Sequence, residues 1–307
     1  MTLPRITVIT PCHNHARFIE RTICSVLDQG YPNVEYIVVD GGSTDGSVET
    51  IRLYEDEIIF CRYGHSTGPG DAINEGLSHA TGDIVAVLPV TDIYLHGALN
   101  EVAAVMQPHQ APPWVVGRCF GICERDKVIG SYDASAPRSL AAFLMHDSGH
   151  LPISASFLKR DCIEQAGAFA THLPFAFDYE YACRLLASGF TPAISDCALS
   201  GLREYEEGTG GGGAIDTLRR GLELLDAAAQ YATYLPLKER YELWSNLDKR
   251  RRIYTLAEAE IAGKHAKRLL LGELLRHPWW LTDDAIRHAL AHGVDHPVPP
   301  EMLRPAA

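Results

Sequence analysis

The chain has 307 residues, 46% of them hydrophobic and 21% charged, with a formal net charge of -12. That length accommodates one large α/β domain with an appendage, or two modest domains, and the composition excludes both a disordered and a fibrous protein. The acidic balance repels polyanions and excludes a general nucleic-acid binder unless charge is strongly segregated.

Arg5 to Thr10 (RITVIT) predicts a buried strand, and Asn14 is placed to cap a helix in which Phe18, Ile19, Ile23, Val26 and Leu27 recur at helical spacing. Tyr36 to Asp40 predicts a second strand, Gly46 to Tyr54 a short helix, Ile58 to Cys61 a third strand, Asp71 to Ala80 a helix and Asp83 to Leu88 a fourth strand. Apolar runs without polar alternation, separated by helices, imply a mostly parallel sheet covered on both faces, with ligands beyond the carboxyl ends of its strands. Polar residues gather at those ends: Thr10 to Asn14, Asp40 to Asp45, and Asp92. Further along, strands are expected near Trp114 to Cys119 and Ser154 to Leu158, and a helix from about Tyr179 to Ser188. A glycine cluster at Gly208 and Gly210 to Gly213 then introduces a helical stretch rich in Leu, Ala and Arg. The expected division is 1–207, a helical region at 208–294, and a proline-rich tail at 295–307.

The eight cysteines include no CxxC pair, so they read as reduced core residues of a cytoplasmic protein rather than zinc ligands. No secretion signal or membrane span is legible. A G-x-G-x-x-G after the first strand is also missing, which argues against a dinucleotide oxidoreductase.

Asp40 ends an apolar strand and opens D-G-G-S-T-D-G. The glycines permit close backbone approach to a ligand, with carboxylate and hydroxyls suited to ribose or base; taken alone, the same residues also describe a turn bonded to itself. The context is wider. The segments T-P-C-H-N, S-V-L-D-Q-G-Y-P-N-V-E-Y-I-V-V-D-G-G-S-T-D-G-S and G-D-A-I-N-E-G-L-S-H-A-T-G-D-I resemble the bacterial family 2 glycosyltransferases in order and spacing. S-A-S-F-L-K-R-D-C-I-E-Q-A-G-A-F and F-D-Y-E-Y-A-C-R-L resemble that family's acceptor half, so the resemblance covers roughly residues 5 to 205.

The resemblance implies an α/β GT-A fold, Rossmann-like, with a mostly parallel central sheet and a helical appendage. It also implies inverting transfer of a sugar from a nucleoside-diphosphate donor, with uridine as the expected base. The acceptor would be a glycan or polyprenyl-linked sugar in surface polysaccharide assembly. Thr10, Pro11 and Asn14 match the first nucleotide loop, with His13 where the family often has an aromatic residue. Asp40, with Gly41 and Ser43, matches the nucleoside site, Asp71 and Asn74 match the donor site, and Asp178 matches the general base. Asp71 could equally cap a helix; for Asp178 the alternative is an N-cap, and its position within the motif favours the base.

One part of the pattern is eroded. The family's acidic metal motif is here L-P-V-T-D, leaving Asp92 as the single carboxylate, and Tyr205 stands where a histidine ligand is expected after Arg203. Three accounts follow: Asp92 holding manganese or magnesium weakly with diphosphate oxygens, Arg203 and a helix start after the glycine cluster stabilising the leaving group, or loss of turnover. The last would make the chain a silent relative that binds nucleotide or scaffolds an assembly complex. Basic runs at Lys249 to Arg252 and Lys264 to Arg268 read either as a solvated helix face or as a peripheral contact with the inner face of a membrane.

Overall fold

The first four strands lie side by side because each carries apolar residues on both faces. β1 (Ile6–Cys12), β2 (Val34–Asp40), β3 (Phe60–Tyr63) and β4 (Ile84–Val87) run parallel in the order β3-β2-β1-β4, with Ile9 opposite both Ile37 and Val87. Ile6, Val8, Tyr36 and Val38 join one core with Ile19 and Ile23 of α1 (Ala16–Leu27). The alternate residues Ile9, Ile37, Val39 and Val85 join another with Ala72 of α3 (Pro69–His79), while α2 (Ser47–Arg52) links β2 to β3. The computed structural model describes residues 3–64, 66, 68–107, 111–137, 139–145, 151–204, 213–262, 266–282 and 286–287.

Past β4 the sheet becomes mixed. β5 (Ile93–Tyr94), β6 (Trp114–Ile122), β7 (Val128–Tyr132), β8 (Ser156–Lys159) and β9 (Ala193–Arg203) complete the order β3-β2-β1-β4-β8-β6-β9-β5, with β7 on β6. β8 is antiparallel to both β4 and β6, whereas β6 and β9 are parallel with register shifts at Gly117 to Cys119. Four further helices accompany this half: α4 (Ala98–Met106), α5 (Leu140–Met145), α6 (Arg160–Ala166) and α7 (Phe177–Ala187).

At the amino ends of the parallel strands, Glu35 is buried beneath Thr7 and Thr81. Its carboxylate accepts from both hydroxyls and from the Thr81 N–H, with Arg5 at 3.4 Å. Burial pushes this carboxyl up, but those bonds and Arg5 outweigh it and leave it below the usual range. The network pins the end of the sheet opposite the polar loops.

Residues 1–206 and 207–307 form two compact units. In the second, α9 (Leu237–Ala262) packs on α8 (Gly213–Tyr231) and on α10 (Ala266–Arg276). Leu256, Ala259, Leu270, Leu274 and Trp280 form its core, and the Trp280 indole donates to Asp248. Tyr205, Gly208, Gly210 to Gly212 and the tail from Asp295 lie outside the described residues, while Gly213 opens α8. No helix among the described residues is long and apolar enough to cross a membrane.

Candidate active site

The loops after β1 and β2 are stitched into one edge. The Asn14 N–H donates to Ser43 Oγ (2.7 Å) and the Thr44 N–H donates to Asn14 Oδ1 (2.8 Å). The His15 N–H donates to Ser47 Oγ (3.0 Å) and the Ala16 N–H to Asp45 Oδ2 (2.8 Å). Asn14 adopts φ 55°, a left-handed conformation that asparagine tolerates, which turns the chain so that these bonds can form. The helix therefore starts later than expected, with His15 at its cap position, and the Asn14 side chain reaches across the chain instead of capping.

Asp40 ends β2 as expected, but its carboxylate is 1% exposed and turned into its own loop. Oδ1 accepts the N–H groups of Gly42 (2.9 Å) and Ser43 (2.8 Å), and Oδ2 accepts the Ser43 hydroxyl. Gly41 is closely packed: a Cβ there would lie 3.2 Å from the Ser66 Cβ and 3.4 Å from His13 Nδ1. Thr10 is not in a loop but within β1, fully buried, its hydroxyl 3.1 Å from that of Tyr36, and Pro11 follows it in the strand. The side chains open to a ligand at this edge are His13, Asn14, Thr44 and Asp45.

On the other face, Asp71 is half-buried in the first turn of α3, where a carboxylate complements the helix N-terminus. Asn74, one turn on, clamps the backbone of Phe169: Nδ2 donates to its carbonyl (2.9 Å) and Oδ1 accepts its N–H (2.8 Å). Gly70 allows the same approach, since a Cβ there would stand 2.4 Å from the Ala170 carbonyl oxygen. α3 is thereby fastened to the segment that leads into α7.

Asp178 lies inside α7, whose cap position is Ala176, so it is not the N-cap; its Oδ1 accepts the adjacent Tyr179 N–H (2.8 Å). Asp178, Tyr181, Ala182 and Leu185 fall at i, i+3, i+4 and i+7, one stripe of the helix. That stripe lines a crevice over the sheet, about 460 Å³ including space open to solvent, with Val85, Val87, Trp114 and Leu158 on the opposite wall. The crevice also holds Val87 at the end of β4. Asp178 was legible from its place in F-D-Y-E-Y-A-C-R-L; periodicity along the helix was the signal for Tyr181, Ala182 and Leu185, and Trp114 and Phe169 carried none.

Asp92 is 3% exposed, and its Oδ1 accepts the Arg203 N–H and the Thr91 hydroxyl, each at 3.1 Å. Burial pushes its carboxyl up to about 6, against the lowering effect of bonds from Arg203, Ser154 and Thr91 and of the Arg203 charge. The Arg203 guanidinium is also interior: it donates to the carbonyls of Thr91 (2.7 Å) and Cys123 (2.9 Å) and lies over the Phe18 ring at 4.8 Å. Asp126 approaches it at 2.6 Å, a charge contact without hydrogen-bond alignment. Arg203 therefore does not present a cation to a diphosphate.

A hard divalent cation needs several oxygen ligands. Among the described residues no three His, Cys, Asp or Glu side chains converge, Asp92 is enclosed, and Pro89 and Thr91 hold the neighbouring positions. The residues around Asp92 do not fit a metal ion. The expectation of a cation there, and of Arg203 at the leaving group, gives way to a buried joint between the ends of β4 and β9.

Residues 7–125 match the model described as Glycosyl transferase family 2. A Bacillus subtilis relative assigned by name to teichuronic acid biosynthesis, TuaG, is 42% identical over 101 residues, 32% of this chain and 40% of that protein. A Campylobacter jejuni relative named GalNAc(5)-diNAcBac-PP-undecaprenol beta-1,3-glucosyltransferase is 30% identical over 122 residues, 38% of this chain and 39% of that protein. The chain thus spans about two fifths of the length of these curated relatives. Among solved structures, Staphylococcus aureus TarS 1-349 in complex with UDP-GlcNAc superposes with a TM-score of 0.62 at 16% identity, covering 95% of this chain and 88% of that one. The Pyrobaculum calidifontis mannosyltransferase PcManGT, in complex with GDP-Man and Mn2+, gives 0.56 at 21%, covering 96% and 83%. The fold they share is GT-A.

Proposed function

We propose, from the match of residues 7–125 to the Glycosyl transferase family 2 model and from the GT-A fold, that this protein transfers a sugar, with inversion, from a nucleoside-diphosphate donor to a glycan or lipid-linked acceptor in surface polysaccharide assembly. The observation that carries the reading is Asp178 on the inward stripe of α7, lining the crevice beside the carboxyl end of β4. In the reaction an acceptor hydroxyl gives its proton to the Asp178 carboxylate as its oxygen bonds to the anomeric carbon. The bond from that carbon to the diphosphate breaks, and the nucleoside diphosphate leaves with the electron pair. The stitched loops after β1 and β2 hold the nucleoside through His13, Asn14 and the backbone arranged by Asp40. The TuaG name supports polysaccharide assembly, the Campylobacter name a lipid-linked acceptor, and the TarS title a uridine donor.

The second reading, a nucleotide-binding relative without turnover, is favoured by the enclosure of Asp92 and Arg203. A panel of nucleoside-diphosphate sugars separates the two, read as release of nucleoside diphosphate with and without manganese. Release from at least one donor supports transfer; nucleotide binding without release from any supports the silent relative. Manganese dependence abolished by Asp92→Asn would contradict the buried joint.

A further inference from the structure

Of the buried hydrogen-bond donors in the first unit that meet no acceptor among the described residues, two line the same crevice. The Trp114 indole Nε1 and the Tyr181 hydroxyl meet no partner among the described residues, although both side chains are almost wholly buried. Both residues line the crevice that contains Asp178, where Leu77, Val85, Leu158 and Leu185 supply aliphatic wall. Leaving a buried donor unmet forfeits its bonds to water, so such a group calls for something that completes it.

The chemistry of the wall restricts what that is. An indole N–H only donates, so the occupant must bring an acceptor. A carboxylate or phosphate would place a second negative charge beside Asp178, and a bare sugar hydroxyl brings no alkyl group to cover the aliphatic side chains. A neutral carbonyl carrying a small alkyl group meets both demands. The Tyr181 ring is fixed beforehand: it stacks on Phe169 at 3.8 Å, the Arg184 guanidinium lies 5.2 Å from its centre, and Asn74 holds Phe169 by two hydrogen bonds. A donor positioned before the ligand arrives loses little freedom on binding.

We propose that this crevice is an acyl subsite for the acceptor, taking the acetamido group of an N-acetylamino sugar, with the two unmet donors bonding its carbonyl and the aliphatic wall covering its methyl. The inference rests on the reading of Asp178 as the base that meets the acceptor hydroxyl.

The test uses the full chain saturated with UDP and two probes, methyl N-acetylglucosaminide and methyl glucoside, titrated by NMR with saturation transfer to the probe. The acetamido probe should bind about tenfold tighter, the worth of one to two net hydrogen bonds, with its N-acetyl methyl receiving the strongest saturation. Tyr181→Phe and Trp114→Phe should each remove most of that ratio with the thermal transition retained; Tyr181→Phe, which deletes one oxygen, decides the matter if the tryptophan variant does not fold. Equal affinities, or a ratio unchanged in Tyr181→Phe, would overturn the subsite and leave water as the occupant. An acetamido preference together with wild-type transfer in Asp178→Asn would instead sink the base and keep the subsite. Transfer that depends on Asp178 but ignores the acetamido group would sink the subsite alone.

Discussion

Asp40 and Asp92 are buried carboxylates whose bonds are made within the chain, and each reaches a ligand only through the backbone it holds. Asp40→Ala should free the Gly42–Ser43 turn, costing about 1–3 kcal/mol for the lost buried bonds, and nucleotide affinity should fall with it. Asp40→Asn keeps an oxygen for both N–H groups and should recover most of both losses. Paired thermal melts and UDP titrations check this; affinity lost at unchanged stability would mean that the carboxylate touches the nucleotide itself. For Asp92 the sign is the reverse of the usual acid. A carboxyl at about 6 when folded, against roughly 4 when unfolded, takes up its proton more readily in the native state, so its contribution to stability declines as pH rises between those values. Asp92→Asn retains an acceptor for the Arg203 N–H and cannot titrate. Its melting temperature should gain on wild type between pH 4 and pH 7; a variant that instead loses ground to wild type over this window would contradict the assignment.

The link between α3 and α7 positions the acceptor side. Asn74→Ala removes both bonds to Phe169 and should cost about 1–3 kcal/mol. Gly70→Ala should be worse than its helix propensity suggests, because the new methyl meets a backbone oxygen at 2.4 Å that cannot rotate away. Chemical denaturation measures both, and a Gly70→Ala protein as stable as wild type would show that the segment is not held there. The parallel half of the sheet was legible because its strands are buried on both faces, which leaves unbroken apolar runs such as Tyr36 to Val39. β9 was not, because Ser195, Cys197 and Ser200 interrupt it and its pairing with β6 shifts register. The start of α1 was misplaced for a similar reason: the partner of the Asn14 side chain, Thr44, is 30 residues away. The donor-loop residues were legible as a motif but not in orientation, since D-G-G-S cannot tell a carboxylate facing a ligand from one facing its own turn.

Over the whole chain the acidic excess lies within residues 1–206, while residues 207–307 hold equal numbers of acids and bases. The basic run on α9 is partly committed inside its own unit, with Arg251 paired to Asp226 and Arg252 to Asp248. Two of its four bases are thus paired within the unit, and the Lys264 to Arg268 run falls partly outside the described residues. In the first unit the parallel sheet, the stitched loops and the inward face of α7 lie together. The most direct test is the rate of nucleoside diphosphate release in the presence of acceptor, compared between wild type and Asp178→Asn, with UDP affinity measured on both. Removal of a general base should lower turnover about 100- to 10,000-fold with nucleotide affinity unchanged. A variant that binds UDP normally and turns over within about threefold of wild type would contradict the role given to Asp178.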